Sequence, residues 1–132
     1  MKESKLVVRY LTGRVAKGRT LDFSSTKDSF HILADDDPKN PIEIRLGQVK
    51  AVFFVKDFIG NREYDERKEF NGSSPMIGKK IQVTFNDGEV LTGRAEIYMP
   101  NRKGFMFFPA DPKSNTEKVF VVNSSVKEVK FL

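Results

Sequence analysis

The sequence predicts an all-β chain, two tandem five-stranded small barrels packed on each other, and three observations carry that reading. Apolar residues alternate at period two through most of the chain, the signature of half-buried strands. Glycines stand where tight turns and bent strands need them. Residues 5–55 also align with residues 80–132, first at an offset of 75 and, past the loop, at 77. Gly13/Gly88, Val15/Val90, Gly18/Gly93, Arg19/Arg94, Phe30/Phe105, Val49/Val126, Val52/Val129 and Phe54/Phe131 fall into register. Such self-similarity implies two copies of one small unit. The domain organisation expected is therefore 1–55 for the first barrel, 56–78 for a linker and 79–132 for the second barrel.

Each strand has its own reason. Leu6, Val8 and Tyr10 share one face of the first strand, as Ile81, Val83 and Phe85 do in the second copy. Leu11-Thr12-Gly13-Arg14 and Asn86-Asp87-Gly88-Glu89 then supply glycines that accept positive φ and turn each strand back on itself. Gly18 and Gly93 fall inside the second strand, where glycine marks a sharp bend or the close approach of another backbone. A third strand follows at 29–34 and 104–108, a fourth at 42–46 and 119–122, and a fifth at 49–55 and 126–132. Closure into small barrels would remove the exposed edges of an open sheet.

The linker ends in Asn71-Gly72-Ser73-Ser74-Pro75, a turn composition. Residues 61–69 have the length for two helical turns capped by Asn61, but Tyr64, Phe58 and Phe70 give a thin apolar stripe, so a partly ordered connector is an equal expectation.

The copies differ where it matters for binding. Ala51-Val52-Phe53-Phe54-Val55 is apolar on both faces, whereas 126–131 carries Lys127, Glu128 and Lys130, so the fifth strand of copy one is expected between the barrels. If Phe105 and Phe107 point inward, Met106 and Phe108 point outward and form an apolar patch. Its cover is either the other barrel or a partner protein.

Unit size and composition bound the function. Units of about fifty residues sit near the lower limit for an independent core, so the copies are expected to lean on each other. The chain has no cysteine, which fits a reducing cytoplasm and excludes thiol catalysis and thiolate metal sites. No stretch reads as a signal peptide or approaches the ~20 apolar residues of a membrane span, so membrane insertion is not expected. The net charge of +5 and pI near 9.5 come from cations scattered among carboxylates. No basic run exceeds two residues, as at Lys79-Lys80 and Arg102-Lys103.

Catalytic patterns do not form. His31, the single histidine, is placed by alternation on an outer strand face. Asp35-Asp36-Asp37 is contiguous, so its carboxylates diverge where a calcium loop would make alternate ones converge. The serine pairs at 24–25, 73–74 and 124–125 lack a nucleophile elbow, and neither common phosphate-cradling glycine loop occurs. The expectation is a non-enzymatic protein with no cofactor and no metal.

Strand, glycine turn, strand with an internal glycine, aspartate loop and then Phe30-His31-Ile32-Leu33 resemble the Sm-like (SH3-like) small barrel. In that family the aspartate loop and the loop between the last two strands line an RNA-binding pore, and Asp22 and Arg45-Leu46-Gly47 sit at the matching places. Copy two departs from the pattern with Pro100-Asn101-Arg102 and Asn123-Ser124-Ser125. The whole chain, above all residues 50–58 (KAVFFVKDF) and 119–122 (VFVV), is similar to an uncharacterised bacterial domain found near PilZ-type and other signalling domains. That resemblance implies a bacterial cytoplasmic setting and a regulatory role. Arg14, Arg19 and Asp22-Phe23-Ser24 imitate the cyclic-dinucleotide pattern of PilZ domains poorly, because Lys27 stands in place of its glycine.

Two functions follow as expectations. The first is a protein-interaction or regulatory adaptor that presents Met106 and Phe108 to a protein partner. The alternative is an Sm-like RNA-binding module using Arg19, Arg45, Arg94, Asn101, Arg102 and Lys103 on phosphates. Pairing of barrels within one chain favours a monomer or small homo-oligomer.

Overall fold

Alternation at period two becomes strands throughout the computed structural model, which describes residues 4–58, 78–111 and 114–132. On the N-terminal side of residues 59–77 lie β1 (Ser4–Tyr10), β2 (Val15–Thr20), β3 (Ser29–Ala34), β4 (Asp37–Arg45) and β5 (Val49–Val55). On the C-terminal side lie β6 (Lys79–Phe85), β7 (Val90–Ala95), β8 (Gly104–Pro109), β9 (Thr116–Val122) and β10 (Val126–Phe131). A single 3-10 turn precedes the last strand of each half, at Leu46–Gln48 and Asn123–Ser125. The helix weighed for residues 61–69 lies outside the described residues.

All ten strands join one antiparallel sheet in the order β10-β6-β7-β8-β9-β5-β1-β2-β3-β4. The all-β expectation holds, but the sheet departs from two separately closed barrels. A five-stranded half closed on itself would pair β4 with β5. Here β4 pairs with β3 alone, and β5 pairs instead with β9 of the other half, from Ala51↔Val121 to Val55↔Thr116. The physical reason is the two-sided apolar character of both strands: each needs cover on both faces, and side by side at the centre they obtain it.

β5 and β9 thereby feed two cores. Ala51, Phe53, Val55, Val119 and Val121 face one cluster with Ile81, Val83, Phe85, Leu91, Phe105 and Phe107. Val52, Phe54, Phe120 and Val122 face the other, with Leu6, Val8, Phe30, Ile32 and Ile44. The fully buried Phe120 thus lies on a strand of the C-terminal half while its ring fills the core of the N-terminal half.

The free edges, β4 and β10, are polar. β4 carries Pro38 and Pro41 and is almost wholly exposed, while β10 carries Lys127, Glu128 and Lys130, both common ways of discouraging further strand addition. β4 starts earlier than expected, because Asp35-Asp36 forms a two-residue turn and the third aspartate already pairs, Ala34↔Asp37.

Corresponding backbone bonds fix the turns of the two halves. Gly13 and Gly88 have φ of 92° and 93°, and the amides of Gly13 and Gly88 donate to Tyr10 and Phe85 carbonyls at 3.0 and 2.9 Å. The glycine inside β7 has a clear steric cause: a Cβ on Gly93 would lie 2.0 Å from the Phe108 carbonyl oxygen and 2.5 Å from the Phe107 ring.

Candidate interaction groove

β7 ends at Ala95, and residues 96–103 lead into β8. Within that loop Tyr98 turns inward and packs edge-to-face on Phe105 at 5.0 Å between ring centroids. Its neighbours Ile97 and Met99 are consequently directed outward and are 59% and 39% exposed. Asn123 braces the far end of the loop, its side-chain amide donating to the Met99 carbonyl at 2.7 Å and the Arg102 carbonyl at 2.9 Å.

Between this loop and β8 lies a groove of about 250 Å³ lined by Glu96, Ile97, Met99, Met106, Phe108 and Phe120, with Ser25 of the N-terminal half on its rim and Gly104 and Phe105 in its wall. Its volume falls below the ~300–1,000 Å³ typical of small-molecule sites. Two thioethers give it an adaptable, polarizable wall. Glu96 is the charged side chain among these lining residues.

Met106 and Phe108, singled out from the sequence, are both half-buried and both reach this groove. Met106 also packs against the core that contains Leu6, Phe30 and Phe120, so the N-terminal half covers part of it. Ile97, Met99 and Glu96 escaped the sequence reading. A trace was present: at an offset of 75, Ile97 and Met99 replace Asp22 and Ser24, so two polar loop positions of the first half are apolar in the second.

The cations weighed for phosphate binding are divided. Arg19 lies 3.1 Å from Asp35, with its guanidinium 5.8 Å from the centre of the Phe58 ring. Arg94 donates to the Gly78 carbonyl at 3.3 Å. Arg102 and Lys103 line a different hollow with Asp28, Leu46, Gly47 and Asn123, next to Arg45 in sequence. There Lys103 is bonded to Asp28, and Arg45 is held by Glu43 at 2.9 Å. The Lys103 hydrogen bond and charge hold the Asp28 carboxyl below its ordinary value, and Arg45 does the same for Glu43. Asn101 is exposed at the adjoining turn and lines neither hollow.

His31 and Asp22 form a clamp. The Asp22 carboxylate accepts from the His31 amide at 2.9 Å and lies 2.9 Å from His31 Nδ1, while the Thr20 hydroxyl donates to the His31 carbonyl at 2.8 Å. Burial acts to raise the Asp22 carboxyl, but the hydrogen bonds from His31 and Thr20 outweigh it and hold the group below its ordinary value. Asp22, the residue matched to the Sm-like loop, is thus engaged by the chain's own third strand.

Among the described residues no group of three or more His, Asp or Glu side chains is disposed to hold a metal, and no helix is long and apolar enough to cross a membrane. The chain belongs to DUF6982, a family of unknown function, whose model matches residues 2–132. No curated protein and no solved structure matches it.

Proposed function

We propose that this protein is a non-enzymatic interaction module that engages a protein partner through the groove between residues 96–99 and β8. The observation that carries the reading is the outward pair Ile97 and Met99, set beside Met106 and Phe108 on a loop whose own anchor, Tyr98, is already satisfied. Exposed apolar side chains gathered beside one another along a groove, rather than scattered singly, are the kind of patch that marks an interaction surface. The sequence agreement between the halves and their matched turns support descent from one duplicated unit, with binding confined to the second copy. The resemblance to domains found near signalling modules supports a regulatory, cytoplasmic adaptor. Nucleic acid is the less favoured partner, because Arg45 and Lys103 are already engaged by carboxylates.

Photo-crosslinking tests this reading. A photoreactive residue in place of Ile97 or Met99 should trap a discrete protein adduct in cells, and one in place of Lys127 on the opposite edge should not. Equal adducts from all three positions would sink it. So would amide shifts confined to the Arg102–Lys103 hollow on titration with single-stranded RNA, fading as salt rises.

A further inference from the structure

Backbone groups in a strand alternate sides, so the residues of β8 whose amides and carbonyls point toward β7 can be counted. Ala110 N–H bonds the Thr92 carbonyl at 3.1 Å, and the Lys103 carbonyl faces the other way, accepting from Asn123 N–H at 2.9 Å. Gly104, Met106 and Phe108 therefore direct their backbone groups toward the β7 side. The β7–β8 pairing, however, stops at Arg94↔Phe108, two residues short of the level at which Glu96 and Met106 would pair. Among the described residues, the N–H and C=O of Met106 have no strand partner on that side.

The N-terminal half has the same gap and fills it. β2 and β3 pair at Arg19↔Leu33, and the next residue of β3 that points to that side is His31. Its amide is taken by the Asp22 carboxylate and its carbonyl by the Thr20 hydroxyl. Two side chains there replace the missing strand. At an offset of 75, Thr20, Asp22 and His31 correspond to Ala95, Ile97 and Met106. Neither a methyl group nor a butyl side chain can hydrogen-bond, so the plug is absent where the apolar groove lies.

We propose that this edge takes up a short extended peptide segment of a partner protein. The segment pairs its backbone with Met106, lays one or two apolar side chains against Ile97, Met99 and Phe108, and sets a cationic side chain beside Glu96. Main-chain pairing gives such a complex its affinity and the alternate side chains give it selectivity. Unpaired backbone groups beside apolar surface suit such a ligand, because an extended segment can replace their water with strand pairing while its side chains cover the apolar wall. The volume of about 250 Å³ suits a few side chains. This inference rests on the groove being a protein-binding surface, and it specifies how that surface binds.

Amide hydrogen exchange and a peptide titration test it on the full chain. In the free protein the Met106 amide should exchange at least about tenfold faster than the His31 amide, reflecting a local difference in protection. A short peptide of alternating valine and lysine should then shift the Met106 amide downfield and protect it. The same peptide N-methylated at alternate amides should fail to do so. The double variant A95T/I97D, which rebuilds the Thr20–Asp22 plug, should protect the Met106 amide without ligand and lose peptide binding. A Met106 amide as protected as that of His31 in the free protein would overturn the inference. Equal binding of the N-methylated peptide, seen at the Met99 and Met106 methyls, would overturn edge pairing while leaving the apolar groove as a binding surface. Methyls unmoved by either peptide at millimolar concentration would overturn both.

Discussion

Lys50 and Asp87, on opposite sides of residues 59–77, meet in a 2.7 Å ion pair that ties β5 to the β6–β7 turn. Lys50 Nζ also reaches Glu89 at 2.5 Å and lies 4.7 Å from the centre of the Phe85 ring. Glu89 in turn lies 3.4 Å from Arg9, and the Lys50 carbonyl accepts from the buried Ser125 hydroxyl at 2.8 Å. The lysine side chain is only 10% exposed, so this network is better shielded than an ordinary surface pair.

Replacing Lys50 with methionine should therefore weaken the joint between the halves while keeping the packing on Phe85. The loss expected is about 1–2 kcal/mol, the size of charge-assisted hydrogen bonds that end partly solvated. Urea unfolding of K50M against the parent chain measures it, and an unchanged midpoint would show the network to be incidental.

The same pair implies acid sensitivity. The Lys50 hydrogen bond, with help from the Glu89 amide, holds the Asp87 carboxyl below its ordinary value of 3.8. A depressed folded value means that the stabilisation is present above the unfolded value and fades as pH falls through the folded one. Stability of the parent chain should thus drop more steeply below about pH 4 than that of D87N, measured by urea midpoints across an acid series. Parallel curves would contradict the assignment.

Phe120 couples the two cores. Its truncation to alanine should cost about 3–5 kcal/mol, as deletion of a fully buried aromatic does. Because the ring sits among Leu6, Phe30 and Ile44, amide protection should fall in β1 and β3 as well as in β9. Loss confined to the C-terminal half would show that the halves fold independently.

The two strand glycines should differ in tolerance. At Gly93 an added methyl meets a backbone oxygen at 2.0 Å, whereas at Gly18 the nearest atom, the Leu33 carbonyl oxygen, is 2.9 Å away. G93A should lose at least about 2 kcal/mol through overpacking, and G18A should lose less. Thermal melts of both variants decide it, and equal losses would mean that β8 moves aside easily.

Asp22 serves the third strand. Changing it to alanine should leave the overall fold intact but raise hydrogen exchange at the His31 amide about tenfold or more. Continued protection of that amide would mean that another group holds it.

Much of the strand pattern was legible because its causes are local. Alternation along 6–10 and 81–85, positive-φ glycines at 13 and 88, and a glycine demanded by close backbone approach at 93 each leave a mark within a few residues. The two-sided apolar run 51–55 likewise announced a central strand. The groove was only half visible. Met106 and Phe108 followed from the alternation of one strand, while Ile97 and Met99 required knowing that Tyr98 points inward.

Strand content, turn positions and the burial of 51–55 were thus set by the sequence itself, since backbone conformation and alternation are short-range properties. The choice of β9 as the neighbour of β5, the sharing of both strands between two cores, and the unplugged edge at Met106 were decided by tertiary structure alone. Apolar character says that a face must be covered without saying by what, and a backbone group lacks a partner only by reference to strands distant in the chain.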